Sequence, residues 1–297
     1  MTLRDKIFIV VATDNYYAIL LAALLKSLEE NHHTKEHLEI YIIDDGISSR
    51  NKERLQLQIN PAKTTLHWFK GSQVVPRDIK IPLDSSSFPL TSYMRLFGPH
   101  IVPEAAEKII YLDVDMIVQA DISQLWHTDL QGHILGTVRD LAGTVSCSWS
   151  GIPNYKELGL PADTSYFNAG MMLINAPQWR KENIAGIVMQ TLHDNLEHVN
   201  LVDQYGLNVV LANKWLEMDK RWNSFAAEPV QDPFILHFLD IKPIFRSYKS
   251  SPAYKTTFYK YLKQTAWKDH TPVSKYQRLA RKAYNKIKKR TLSLLNQ

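Results

Sequence analysis

The sequence predicts an α/β fold: a mostly parallel sheet flanked by helices, followed by a small basic helical C-terminal subdomain. Strand-like and helical stretches alternate from the N-terminus, and in a compact chain that alternation implies parallel strands joined by right-handed crossovers. The chain has 297 residues, 45% hydrophobic and 22% charged, which allows a sizeable core and excludes a largely disordered, collagenous or multi-span membrane protein.

Residues 7–12 (IFIVVA) form a continuous β-branched apolar run, and Thr13, Asp14 and Asn15 after it can cap a helix through Leu28. Residues 38–43 read as a second strand ending in Asp44-Asp45-Gly46, residues 48–57 as a short helix, and residues 64–69 as a third strand. The Pro- and Ser-rich stretch 71–89 reads as a long loop of the kind often kept for function. A helix is expected over 91–97, then one strand over 108–118 (KIIYLDVDMIV), the most strand-like run of the chain. Further strands fall at 134–138 and 166–174, and helices at 177–193 and 201–211. From Lys242 onward, Lys and Arg interleave with Phe245, Tyr248, Tyr254, Phe258 and Trp267, so the chain divides into residues 1–241 and 242–297.

The net charge of +5 is unevenly spread. Eight basic residues and no acidic one lie between Lys275 and Gln297, so the other 274 residues carry a net −3. An acidic body argues against nucleic acid as a partner. In the tail, Tyr276, Ala280, Ala283, Ile287, Thr291 and Leu294 recur at helical steps among the basic residues, which reads as an amphipathic helix docking on an anionic membrane surface. Cys147 is the single cysteine, which excludes an internal disulfide and a multi-thiolate zinc site and points to a reducing compartment. The apolar run 16–25 is shorter than the ~20 residues that span a bilayer, and no secretory leader fits the N-terminus. The expected location is the cytoplasm, peripheral at the inner face of the cell membrane.

Two nucleotide fingerprints are absent: the Gly-x-Gly-x-x-Gly of dinucleotide folds and the Gly-x-x-x-x-Gly-Lys-Ser/Thr of P-loops. The positive signal is Asp113-Val114-Asp115. In a strand with a period of two, both carboxylates fall on one face, and such a pair at the end of an apolar run suits a hard divalent cation.

Three blocks in order, 111–118 (YLDVDMIV), 166–175 (YFNAGMMLIN) and 202–208 (VDQYGLN), resemble glycosyltransferase family 8, the retaining galactosyl- and glucosyltransferases. The resemblance extends from Ile7 to about Trp267. It implies a GT-A fold with a Rossmann-like nucleotide-binding sheet, a Mn2+ or Mg2+ ion held by Asp113, Asp115 and His237, and a UDP-sugar donor. By position, Ala12, Thr13, Asn15 and Tyr16 match the loop for uracil and ribose, Val114 lies within the metal motif, and Arg95 matches an arginine near the donor sugar and diphosphate. Read alone, Arg95 is a surface salt-bridge former. Asp140 and Asn168 match residues near the sugars, and Asp203 and Gln204 match the pair closest to the anomeric carbon. After His237 the sequence departs from the family: Lys242 and Pro243 remain, but the usual Gly and Trp are missing. Tyr205 replaces a frequent acidic residue, which suggests a different acceptor.

The implied function is metal-dependent, retaining transfer of galactose or glucose from a UDP-sugar to a glycan, glycolipid or glycoprotein acceptor in surface glycan synthesis. The rivals are a degenerate, non-catalytic version of the fold that binds glycan or membrane, and a sugar-1-phosphate nucleotidyltransferase, whose Gly-rich N-terminal loop is missing here.

Overall fold

The computed structural model describes residues 2–84 and 86–295. In chain order the strands are β1 (Lys6–Asp14), β2 (His37–Asp45), β3 (Thr64–Lys70), β4 (Lys108–Leu112), β5 (Met116–Val118), β6 (Leu135–Thr144), β7 (Ser165–Asn175), β8 (Trp215–Glu217), β9 (Ser224–Phe225) and β10 (Ile235–His237). The helices are α1 (Ala18–Asn31), α2 (Ser49–Gln58), α3 (Gly71–Val74), α4 (Thr91–Met94), α5 (Gly98–Ile101), α6 (Ile122–Trp126), α7 (Ala176–Lys181), α8 (Ile184–Asp194), α9 (Val202–Val210), α10 (Pro252–Leu262) and α11 (Lys275–Leu295).

Seven strands form one sheet in the order β3-β2-β1-β4-β7-β6-β8, and β5-β10-β9 form a second, small sheet. In the large sheet β1 pairs in parallel with β2 and β4, β2 with β3 and β6 with β8, while β7 runs antiparallel to β4 and β6. The expected mostly parallel sheet is present. Its strand order reverses between β1 and β4, and open α/β sheets bind ligands at such a switch point, outside the carboxyl ends of the strands.

Alternation along β1 explains the two cores. Ile7, Ile9 and Val11 face one apolar cluster with α1 and α10, whereas Phe8 and Val10 face another with Tyr93, Phe97 and Trp179. Helix α1 is buried through almost all of Ala18 to Leu28, which fits its unbroken apolar sequence. Ile244, Phe245, Tyr254 and Phe258 join the same cluster as α1.

Two elements read as continuous are interrupted. The expected strand 108–118 is β4 and β5, in different sheets, with Asp113 to Asp115 forming the turn between them. The expected helix 177–193 is α7 and α8, separated where Asn183 takes φ +48°, a left-handed conformation that Asn tolerates. None of Thr13, Asp14 and Asn15 is the cap of the first helix: Tyr17 is its N-cap, with no side-chain cap, and Asp14 Oδ1 accepts the Tyr17 amide at 3.1 Å just ahead of it.

Candidate active site

The Asp-x-Asp carboxylates converge through a turn and not through strand alternation. The Asp113 amide donates to the Gly170 carbonyl at 2.8 Å, which pins the turn to β7. On the other side, β5 pairs antiparallel with β10 so that Met116 lies opposite His237, and the Phe238 amide donates to the Asp115 carbonyl at 3.0 Å. That pairing carries a histidine more than a hundred residues away to the carboxylates. His237 Nε2 is 3.4 Å from Asp115 Oδ1 and 3.9 Å from Asp113 Oδ2. One ligand atom from each of the three residues lies within 4.8 Å of the others. Two carboxylates and an imidazole in that space suit Mn2+ or Mg2+.

Cations already gather here. Lys242 Nζ pairs with Asp115 Oδ2 and also donates to the Phe238 carbonyl at 2.7 Å. Burial raises the Asp115 pKa, yet Lys242 and His237 together hold it well below the usual carboxylate range. Shortly after His237, where the resemblance expects a glycine, Asp240 takes φ +53°, a conformation glycine adopts freely.

Arg95 is buried, not a surface residue. Its Nη1 lies 3.1 Å from Asp113 Oδ1 and donates to the Ala169 carbonyl at 2.7 Å, while Nε is 3.0 Å from Asp203 Oδ2. Asp203 is fully buried and receives no well-aligned hydrogen bond on either oxygen, despite that ion-pair distance. Burial therefore pushes its carboxyl up to about 7, with Arg95 opposing the shift. Just before it, Val202 takes φ +43°, rare for a β-branched residue and strained by about 1–3 kcal/mol.

A hydrogen-bonded chain runs from the carboxylate cluster to Gln204. His237 Nδ1 faces Asn223 Oδ1 at 2.9 Å, Asn223 Nδ2 donates to Asn168 Oδ1 at 3.0 Å, and Asn168 Nδ2 donates to Asp140 Oδ2 at 2.8 Å. Gln204 Nε2 donates to the same Asp140 oxygen at 3.2 Å, and Gln204 Oε1 accepts the Ala169 amide at 3.0 Å. Asp140, Asn168, Asp203 and Gln204 are thus brought together beside Asp113, Asp115 and His237.

The β1 residues sit at the carboxyl end of the neighbouring strand. Thr13 is buried, Asn15 is exposed and Tyr16 is half-buried. Ala12 packs against the core, and the Val114 side chain is buried in it, so Val114 can offer a ligand only its backbone. Asn15 Oδ1 already accepts the Ser48 amide and Asn51 Nδ2, each at 2.9 Å. Tyr205, read as tuning the acceptor, is fully buried and donates its hydroxyl to Asn154 at 2.7 Å. It is part of the packing. Asn223 was not singled out from the sequence, because an asparagine between a tryptophan and a serine carries no pattern.

Comparisons with known proteins place the chain in a family and a fold. The model of Glycosyl transferase family 8 matches residues 8–242. General stress protein A of Bacillus subtilis is 28% identical over 289 residues, covering 89% of this chain and 96% of that protein. Glycosyltransferase GlyF of Streptococcus pneumoniae is 25% identical over 215 residues, which cover 72% of this chain but only 48% of GlyF. Among solved structures, the galactosyltransferase LgtC, in complex with donor and acceptor sugar analogs, superposes with TM-score 0.72 at 22% identity, covering 88% of this chain and 96% of LgtC. The fold is therefore GT-A, and the chain belongs to glycosyltransferase family 8.

Proposed function

We propose that this glycosyltransferase is a metal-dependent, retaining hexosyltransferase that moves galactose or glucose from a UDP-sugar to a glycan, glycolipid or glycoprotein acceptor in surface glycoconjugate synthesis. The observation that carries the reading is the convergence of Asp113 and Asp115, from one turn, with His237, from a strand more than a hundred residues away. A divalent ion held by these three residues would neutralise charge on the donor diphosphate.

The chain's own groups divide the remaining work. Lys242 and Arg95 supply fixed positive charge where UDP would depart, which stabilises the leaving group electrostatically. Thr13, Asn15 and Tyr16, with the backbone of Ala12 and Val114, would hold the nucleoside. Asn168 and Asp140 would orient the donor hexose. Gln204 is fixed at both ends of its amide, which suits a positioning role at the anomeric carbon better than a nucleophilic one, and so favours front-side attack. Asp203 orients Arg95 from below. In this reading residues 1–241 form the catalytic unit and residues 242–297 a C-terminal unit resting on it.

Among the described residues no helix is long and apolar enough to cross a membrane. We assign α11 to an anionic membrane surface. Its outward face combines exposed Tyr276, Leu279 and Ile287 with Lys275, Lys286 and Arg290, the inverse of a helix that packs its apolar face on a core. The Leu294 side chain lies outside the described residues. Co-sedimentation with anionic vesicles that survives Tyr276→Ser with Ile287→Ser would contradict this assignment.

The function is tested by a panel of nucleotide sugars, reading free nucleoside diphosphate and the anomeric configuration of the product. UDP-hexoses turned over with retention support it. Turnover of other donors only, or an inverted product, overturns it. Pyrophosphate-dependent UTP formation would identify a nucleotidyltransferase instead.

A further inference from the structure

Helix α11 lies on the body with its polar side inward. Arg281 pairs with Asp14, and Lys289 Nζ reaches the buried carboxylate of Asp84 at 2.8 Å. Between them Asn285 Nδ2 donates to the Ser87 carbonyl at 3.1 Å, while Arg278 and Lys282 approach Asp240 at 4.0 and 3.7 Å. The body partners belong to three segments: the end of β1 before Asn15 and Tyr16, the loop leading to Arg95, and the turn leading to Lys242. The helix therefore ties together the segments that carry the candidate donor-binding groups.

Between α11 and the body is a space of about 600 Å³, walled by Asn15, Tyr16, Trp267, Gln277, Arg281 and Tyr284 among others. That volume, with mainly apolar walls and a few polar groups, is typical of a small-ligand site. The Arg281 guanidinium lies 5.3 Å from the ring centroids of both Tyr16 and Tyr284, so two aromatic rings bracket one planar cation. Two atoms on the walls, Arg281 Nε and His270 Nε2, are buried with no hydrogen-bond partner among the described residues. Leaving such an atom unpaired costs about 1–3 kcal/mol, so a ligand with hydrogen-bonding edges would be stabilised there. Because Asp14 already matches the charge of Arg281, the space favours a neutral planar group over a phosphate.

We propose that α11 supplies one wall of a nucleobase pocket: the base of the nucleotide donor lies between the β1 end and α11, with Tyr284, Arg281 and Gln277 as its partners from the helix. The inference rests on the donor reading above. It gives residues outside the matched family segment, 8–242, a direct part in binding.

The test is calorimetric titration of UDP and of UMP into the full chain and into Tyr284→Ala, Arg281→Gln and Ile287→Ser. Tyr284 is 54% exposed and Ile287 65%, so neither substitution empties the core. Base-on-aromatic stacking is worth about 1–3 kcal/mol, so Tyr284→Ala and Arg281→Gln are expected to weaken both nucleotides about tenfold, with Ile287→Ser at wild-type affinity. Equal loss for UDP and UMP places the contact on the nucleoside. If both inner-face variants bind as tightly as wild type, or more tightly as a helix that merely plugs the site requires, the inference is wrong and the donor reading stands. If the wild-type chain binds neither nucleotide, both are wrong.

Discussion

His237 and Asn223 face each other across 2.9 Å, with His237 Nδ1 against Asn223 Oδ1. Because Asn223 Nδ2 is already donating to Asn168, its oxygen is the acceptor and His237 Nδ1 must carry the proton. In the neutral ring the Nε2 lone pair then faces Asp113 and Asp115, the tautomer a metal ligand requires. Replacing Asn223 with Ala should lower Mn2+ affinity about 10–100-fold, the usual effect of removing a group that orients a ligating histidine. Paramagnetic resonance titration of Mn2+ checks this, and unchanged affinity would remove Asn223 from the account.

Gly170 is required by space alone. A Cβ there would lie 2.5 Å from His237 Cε1, 2.9 Å from Asn168 Oδ1 and 3.0 Å from Asp113 Oδ2. Gly170→Ala must therefore push apart His237, Asn168 and Asp113, the groups proposed to hold metal and sugar. A shift on the order of 1 Å can cost about a hundredfold in rate, and the crowding about 1–3 kcal/mol in stability. Turnover within threefold of wild type would show that the pocket is looser than this geometry.

Asp203 sets a pH dependence with a defined sign. Burial pushes its carboxyl from the ordinary 3.8 to about 7, so between those values the folded state binds more protons than the unfolded one. Its contribution to stability therefore falls as pH rises from about 4 to about 7, and is level above. Asp203→Asn has no such dependence, so the variant should gain on wild type across that window by on the order of 4 kcal/mol. Urea midpoints measured at several pH values without metal report it, and parallel curves would refute the burial argument.

Much of this was legible in the sequence because it rests on local pattern. The apolar runs at β1 and β2 and the short helix beginning near Ser48 follow from residue type alone; the Ser48 hydroxyl accepts the Asn51 amide at its start. Asp113 and Asp115 were found for a geometric reason that does not hold: they meet through a turn, which strand periodicity does not describe. Residue type alone makes Arg95 look like a surface salt-bridge former, because its two carboxylate partners are 18 and 108 residues away, and only the resemblance points it toward the site. The inward polar face of α11 was invisible for the same reason, since Asp14 and Asp84 become its partners only once the chain is folded.

Gln204 should act by position. Both ends of its amide are committed, to the Ala169 amide and to Asp140. Gln204→Ala is expected to reduce kcat about a hundredfold with little change in the KM for donor, the pattern of an interaction made mainly in the transition state. A rise in KM with kcat intact would make it a ground-state binding residue.

The central claim is that Asp113, Asp115 and His237 hold a divalent ion that makes a UDP-sugar reactive. The most direct measurement is UDP release from UDP-galactose and UDP-glucose by the purified chain in Mn2+, compared with chelated enzyme and with Asp113→Asn and Asp115→Asn. The account predicts slow release in Mn2+, loss on chelation with recovery on adding the metal back, and loss in both variants with the fold retained. Release that persists at the wild-type rate after chelation, or in either variant, would contradict it.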